Sequence, residues 1–225
     1  MDLDAGLRVL VLRLGQLYLG LWLYGLAGAL QVRSTLGLDP WDVLHQGISR
    51  HAGIAIGTVV IVVGAAVLLL WIQLRQWPGL GTVSNVVLIG VSMNANLDWL
   101  PRPGLMVWRG MDMIAGVVLC GVATGMYIGA NFGPGPRDGL MTGLVRRSGR
   151  SVRLVRTGLE VTVLTVGWLL GGTVGLGTVV FALGIGPLAQ VFLPIFAHPS
   201  DAPSPLKPPE FAGLSGDFSG EAVGH

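Results

Sequence analysis

At 225 residues, with 52% hydrophobic and only 12% charged side chains and a mean hydropathy of +0.68, the chain falls well short of the roughly 25% charged residues of a soluble domain. Its formal charge of +2 comes from arginines that flank apolar runs, which argues against a nucleic-acid-binding surface. A single cysteine, Cys120, excludes an intramolecular disulfide.

Uncharged runs at 14–32, 52–74, 76–97 and 113–136 each reach the roughly 20 mostly apolar residues that a spanning helix needs. A fifth run, 161–197, is about twice that length, and Gly171-Gly172 with 175-GLGT-178 divides it. Six transmembrane helices are therefore predicted. Ala27-Gly28-Ala29 has the look of a signal-peptidase site, but the apolar stretch before it is too long for a signal peptide, so the first run is read as a retained span. Arg8, Arg13, Arg75, the six arginines from Arg137 to Arg156 and Lys207 fall on the side of the N-terminus, against Arg33, Arg50, Arg102 and Arg109 on the other. The positive-inside rule then places both termini in the cytoplasm.

After the first run comes 38-LDPWDVLHQGIS-49, and after the fourth comes 134-PGPRDGLMTGLV-145. They belong to an internal repeat: a shift of 96 residues lays Pro40 on Pro136, Asp42 on Asp138, Gly47 on Gly143 and Gly53 on Gly149. The same shift lays Arg13 on Arg109 and 79-GLGTV-83 on 175-GLGTV-179. Each repeat holds three spans. An odd number inverts the second repeat relative to the first, a plan used by transporters with a site at the repeat interface. The predicted fold is an all-α polytopic membrane protein, with repeats at 1–100 and 101–197 and a disordered Pro/Ser/Gly-rich tail over 198–225.

Within each repeat the Pro-x-Asp element opens a short helix. Asp39 is placed to act as N-cap, Pro40 at the first helical position and Asp42 as the acid of a capping box; Gly135, Pro136 and Asp138 repeat the pattern with glycine as the cap. Gly53 and Gly149 suit a left-handed C-terminal cap, which leaves helices too short to cross a core about 30 Å thick. Trp41, Leu44 and Ile48 share one face, so amphipathic helices lying flat at the two interfaces are expected. The alternative is a pair of half-helices dipping inward from opposite faces with their positive ends toward the interior. Gly47 and Gly143 are expected to admit another helix backbone closely. Thr82 and Thr178 are predicted as N-caps of the third and sixth spans, because the Gly-Leu-Gly-Thr segments lack the lysine of a phosphate loop.

Ionisable groups inside spans are functional candidates. Asp42 and Asp138 are the first choice for substrate binding, with Arg137 and the i, i+4 pair Arg156 and Glu160 as charge partners. Asn85, Asn94 and Asn96 are read as interhelical hydrogen-bonding amides, and Cys120 as a packing residue. The histidines at 45, 51, 198 and 225 form no metal motif, and no nucleophile signature is present. No catalysis, cofactor or metal is expected.

The strings 37-GLDPWDVLHQGIS-49, 79-GLGTVSNVVLIG-90 and 134-PGPRDGLMTGL-144 resemble those of the YitT/YczE/YyaS group of bacterial integral membrane proteins, particularly its YczE-like branch, over residues 13–195. The resemblance implies a multi-pass protein of the bacterial inner membrane and carries over no functional residue. The reading that follows is a small transporter or permease-like protein with a site at the repeat interface. The alternative is a non-transporting accessory or scaffold for another complex. Partners are the lipid bilayer and an unidentified small molecule or ion, without nucleic acid, and a homo-oligomer is left open.

Overall fold

The computed structural model describes residues 3–198; the predicted tail, from residue 199 on, lies outside the described residues. Eight helices and no strand occur among them: α1 (Leu3–Ser34), α2 (Pro40–Ala52), α3 (Ile56–Gln73), α4 (Leu80–Trp99), α5 (Met106–Gly129), α6 (Pro136–Ser148), α7 (Val152–Leu169) and α8 (Leu176–Phe196). The long uncharged run of the sequence divides as predicted, between α7 and α8. However, α7 begins at Val152, before the apolar run, and so carries Arg153, Arg156 and Glu160. Five helices, α1 (from Gly6), α3, α4, α5 and α8, are long and apolar enough to cross a membrane, and α7 carries the Arg156 and Glu160 pair that the sequence places near the start of its fifth span.

The 96-residue offset recurs in the helix bounds. α6 and α7 start and stop 96 residues after α2 and α3. Every described residue with positive φ also falls into an offset pair: Thr35 with Asn131, Gly37 with Gly133, Gly53 with Gly149 and Arg75 with Gly171. Gly53 and Gly149 are the predicted left-handed caps, at φ 68° and 65°. Loop contacts are reciprocal as well, since Gly81 N donates to Phe132 O and Gly177 N donates to Leu36 O, both at 2.8 Å.

The helices sort into two bundles, each containing equivalent elements of both halves. In one, α1 packs on α5 and on α4, and α5 packs on α8. Its core runs along the α1–α5 crossing, where Leu17, Leu21, Ala29 and Tyr127 cluster and Cys120 packs with Ala27 and Val117. In the other, α2 packs on α7 and α3, and α6 on α3 and α7. The α2–α7 contact relies on glycine: a Cβ on Gly47 would stand 2.6 Å from Gly167 O and 2.8 Å from Leu170 Cβ. The equivalent α6–α3 contact keeps Gly143 against Leu74 but exchanges sizes next to it, with Trp71 lying on Gly139 where the first contact sets Gly167 under Val43 and Leu44. The glycine and the larger side chain have traded helices between the two contacts.

Between the bundles the main contact is α3 against α4. There a Cβ on Gly57 would run into Gly90 O, and Asn94 Oδ1 accepts from Gly57 N at 2.8 Å, which is the interhelical role predicted for this amide. The equivalent helices α7 and α8 make no comparable contact.

Two corrections concern caps. Gly79 and Gly175, not the threonines, are the N-caps of α4 and α8. Thr82 and Thr178 sit at N3 and reach back, accepting from Gly79 N at 3.2 Å and Gly175 N at 3.3 Å. A glycine cap offers no side chain, so the N3 hydroxyl supplies the only side-chain bond across the first turn.

Candidate functional site

Asp39 caps α2 as predicted, its Oδ1 accepting from Trp41 N at 2.9 Å and Asp42 N at 3.1 Å. Asp42 does not complete the capping box, because its Oδ1 is held by His45 Nδ1 at 2.9 Å. The buried residues of α2 are Asp42, Val43, His45 and Gly47, whereas Trp41, Leu44 and Ile48 are only partly covered. The flank with Asp42, His45 and Gly47 faces the protein, and the stripe Trp41, Leu44 and Ile48 lies toward the outside.

The N-terminus of α6 comes to meet that of α2. Arg137, the second residue of α6, places its Nη1 3.6 Å from Asp39 Oδ1 and its Nη2 3.6 Å from Asp42 Oδ1. Its Cζ lies 5.1 Å from the centre of the Trp41 ring, which adds a cation–π contact. Asp39 and Asp42 are 3% and 4% exposed, and the Arg137 side chain is 28% exposed. Two carboxylates this deeply buried need compensation, and one planar guanidinium provides it for both.

Asp138 is tied differently. Tyr127 Oη donates to its Oδ2 at 3.0 Å, and the Tyr127 ring meets Tyr24 edge to face at 6.1 Å. Pro136 O accepts from Trp71 Nε1 at 3.1 Å, which pins the start of α6 to α3. Arg156 and Glu160 form the predicted pair at 2.9 Å, with side chains 56% and 42% exposed.

These groups border one cavity of about 420 Å³. Asp39, His45, Arg137, Asp138, Arg156 and Glu160 line it, with Tyr24, Tyr127 and Asn85 as further polar wall and Val60, Val63, Ile89 and Ile185 among its apolar wall. Asp42 does not line it but lies against Arg137, which does. The sequence-predicted site residues are thus brought together in two groups: Asp42, Arg137 and Asp138 at the meeting helix ends, and Arg156 with Glu160 on α7. Pro40, Gly135 and Pro136 shape the helix starts that line the cavity, while Gly47, Gly143, Thr82 and Thr178 serve packing and turns. Tyr24, Tyr127, His45 and Trp71 were not singled out from the sequence. His45 was within reach of such a reading, because it stands one helical turn after Asp42.

An all-helical chain with five membrane-length apolar helices and charged groups gathered in its interior is a membrane protein of the multi-pass kind. Residues 11–194 match a family of unknown function designated DUF6198, and the chain belongs to that family. It is 40% identical over 182 residues to an uncharacterized protein of Haemophilus influenzae, covering 81% of this chain and 84% of that one. It is 35% identical over 189 residues to the uncharacterized membrane protein YczE of Bacillus subtilis, covering 82% and 87%. The uncharacterized protein YyaS of the same organism is 25% identical over 181 residues, covering 79% of this chain and 90% of that one. The resemblance seen in the helix-start motifs therefore holds. No solved structure matches the chain.

Proposed function

We propose that this protein is a transporter of the bacterial inner membrane, built from two inverted three-span repeats, with its substrate site in the cavity between them. One observation carries the reading: positions 96 residues apart line the cavity together, among them Asp39 with Gly135, Trp41 with Arg137, Val60 with Arg156 and Gly64 with Glu160. A site on the pseudo-twofold axis is where inverted-repeat transporters bind substrate. In this reading α1, α3 and α4 span in the first repeat and α5, α7 and α8 in the second, while α2 and α6 re-enter from opposite faces. The charges of α7 are then those of a spanning helix that turns Arg156 and Glu160 toward a cavity and not toward lipid. The arginine-rich segment from Arg146 to Arg156 lies on the cytoplasmic side with both termini.

The charges at the site favour a cation. Asp39 and Asp42 share one guanidinium, Asp138 is bonded to the Tyr127 hydroxyl, and Arg156 and Glu160 cancel, so a positively charged solute or a proton relieves the excess that a low-dielectric interior penalises. Aromatic walls at Trp41, Tyr24 and Tyr127 suit such a solute. The test is a flux screen of protein reconstituted in liposomes, comparing inorganic and organic cations with anions. Cation flux that is lost in Asp138→Asn and Asp42→Asn, with both variants still folded, is expected. No flux for any solute, or flux indifferent to both substitutions, would refute the proposal.

A further inference from the structure

The contacts between the two bundles are unequal, although the repeats that build them are equivalent. On one side α3 lies on α4, with Gly57 against Gly90, Asn94 bonded to Gly57 N, and Gly64 against Val86. On the other side α7 and α8 make no comparable contact, and a Cβ on Gly186, the equivalent of Gly90, would find nothing within 4 Å. The cavity extends toward this parted side, where Arg156, Glu160 and Gln190 line it. Polar contacts follow the same division. Tyr127 on α5 donates to Asp138 on α6, linking the bundles, while the equivalent Gln31 and Asp42 make no hydrogen bond to each other.

We infer that the protein has a second conformation in which the two sides exchange: the α1/α4/α5/α8 bundle rocks against the α2/α3/α6/α7 bundle until α7 closes on α8 and α3 parts from α4. The physical ground is that the same backbone plan, repeated, offers two closures of the same kind, and an interior axis lets only one be made at a time. Packing within each bundle is close and glycine-mediated, so the bundles move as bodies, and the inter-bundle contact is the part free to change. α8 has the means to bend, because Pro187 interrupts it beside Gly184 and Gly186, and a helix-interior proline removes a backbone hydrogen bond and allows a kink. The new contacts are named by the offset: Gln190 meets Leu154 as Asn94 meets Thr58, whose side chains stand 3.4 Å apart, and Glu160 meets Ala182 as Gly64 meets Val86. The cavity, open now between α7 and α8, would then open between α3 and α4.

This inference rests on the repeat reading above, but its test reads conformation and not flux. In a Cys120→Ala background, Thr58→Cys/Asn94→Cys and Leu154→Cys/Gln190→Cys are each treated in membranes with a short bifunctional thiol reagent and scored by the reductant-independent gel shift. Thr58, Leu154 and Gln190 are exposed and Asn94 is half-buried, its loss costing the bond from Gly57 N, and monodisperse elution of each variant verifies folding. Both pairs are expected to crosslink, and in the four-cysteine protein crosslinking one pair first is expected to abolish crosslinking of the other. Absence of the 154–190 crosslink in folded protein would overturn the inference. So would both crosslinks forming in one molecule. Either result leaves the flux test standing.

Discussion

Arg137→Met removes the group that joins the starts of α2 and α6 while keeping most of its volume. With each guanidinium nitrogen 3.6 Å from a carboxylate oxygen and an effective dielectric of about 20, each attraction is about 4–5 kcal/mol. Desolvation of the three groups offsets much of that, so the net worth of the cluster is far smaller than the sum. The cost of breaking it is not small, because Asp39 and Asp42 remain buried without a counter-charge, and orphaning a buried charge costs about 3–5 kcal/mol. Arg137→Lys recovers part, since an ammonium is a point charge without the fork that serves two carboxylates. Asp39→Asn/Asp42→Asn added to Arg137→Met recovers most of the loss, because no unpaired carboxylate is left and Asn caps a helix about as well as Asp. Thermal denaturation in mild detergent, followed by fluorescence-detected size exclusion, measures all four proteins. Arg137→Met melting with the wild type, or the triple variant melting no higher than the single one, would refute the assignment of Arg137 as the shared counter-charge.

Other expectations follow from packing and caps. Gly167→Ala drives a methyl into the backbone of Val43 and Leu44 and is expected to abolish folded protein in membranes, while Gly158→Ala, with nothing within 4 Å, is tolerated and gains up to about 1 kcal/mol of helix propensity; equal expression of the two would contradict the α2–α7 contact. Thr82→Ala loses the bond from Gly79 N and also the one to Pro134 O at 2.8 Å, so it is expected to destabilise by about 1–2 kcal/mol, and more than Thr178→Ala, as read by the same melting assay. Cys120, 2% exposed in the α1–α5 core, is expected to stay unlabelled by maleimide until the protein is denatured; labelling in the native state would place it elsewhere.

The parts of this fold that are local were legible in the sequence. Asp39 and Pro40 announce a helix start because the cap is made by neighbours in the chain, and the 96-residue offset shows because Pro, Asp and Gly recur where turns demand them. What depends on tertiary structure was not legible. The apolar stripe Trp41–Leu44–Ile48 marks one face of α2, but the side that buries is Asp42, His45 and Gly47, because the opposing α6 brings Arg137 to it. No periodicity in either helix could reveal that partner. Thr82 has a side chain suited to a cap, but the glycine three residues earlier takes that place and the threonine reaches back from N3. The exchange of Trp71 with Gly139 for Val43 with Gly167 also hid in the sequence, because size compensation across a contact appears only when the contact is known.

The account depends most on the two repeats being inverted in the membrane, so that α2 and α6 enter from opposite faces and meet at their N-termini. Asp39 and Gly135 are buried at that meeting point, so the outer ends of the helices report better. In the Cys120→Ala background, Ala52→Cys and Ser148→Cys place thiols at equivalent exposed positions at the ends of α2 and α6. A membrane-impermeant maleimide applied to right-side-out and inverted vesicles is predicted to label Cys at 52 only from the periplasmic side and Cys at 148 only from the cytoplasmic side. Labelling of both from the same side would contradict the inverted repeat, and with it the site between the halves.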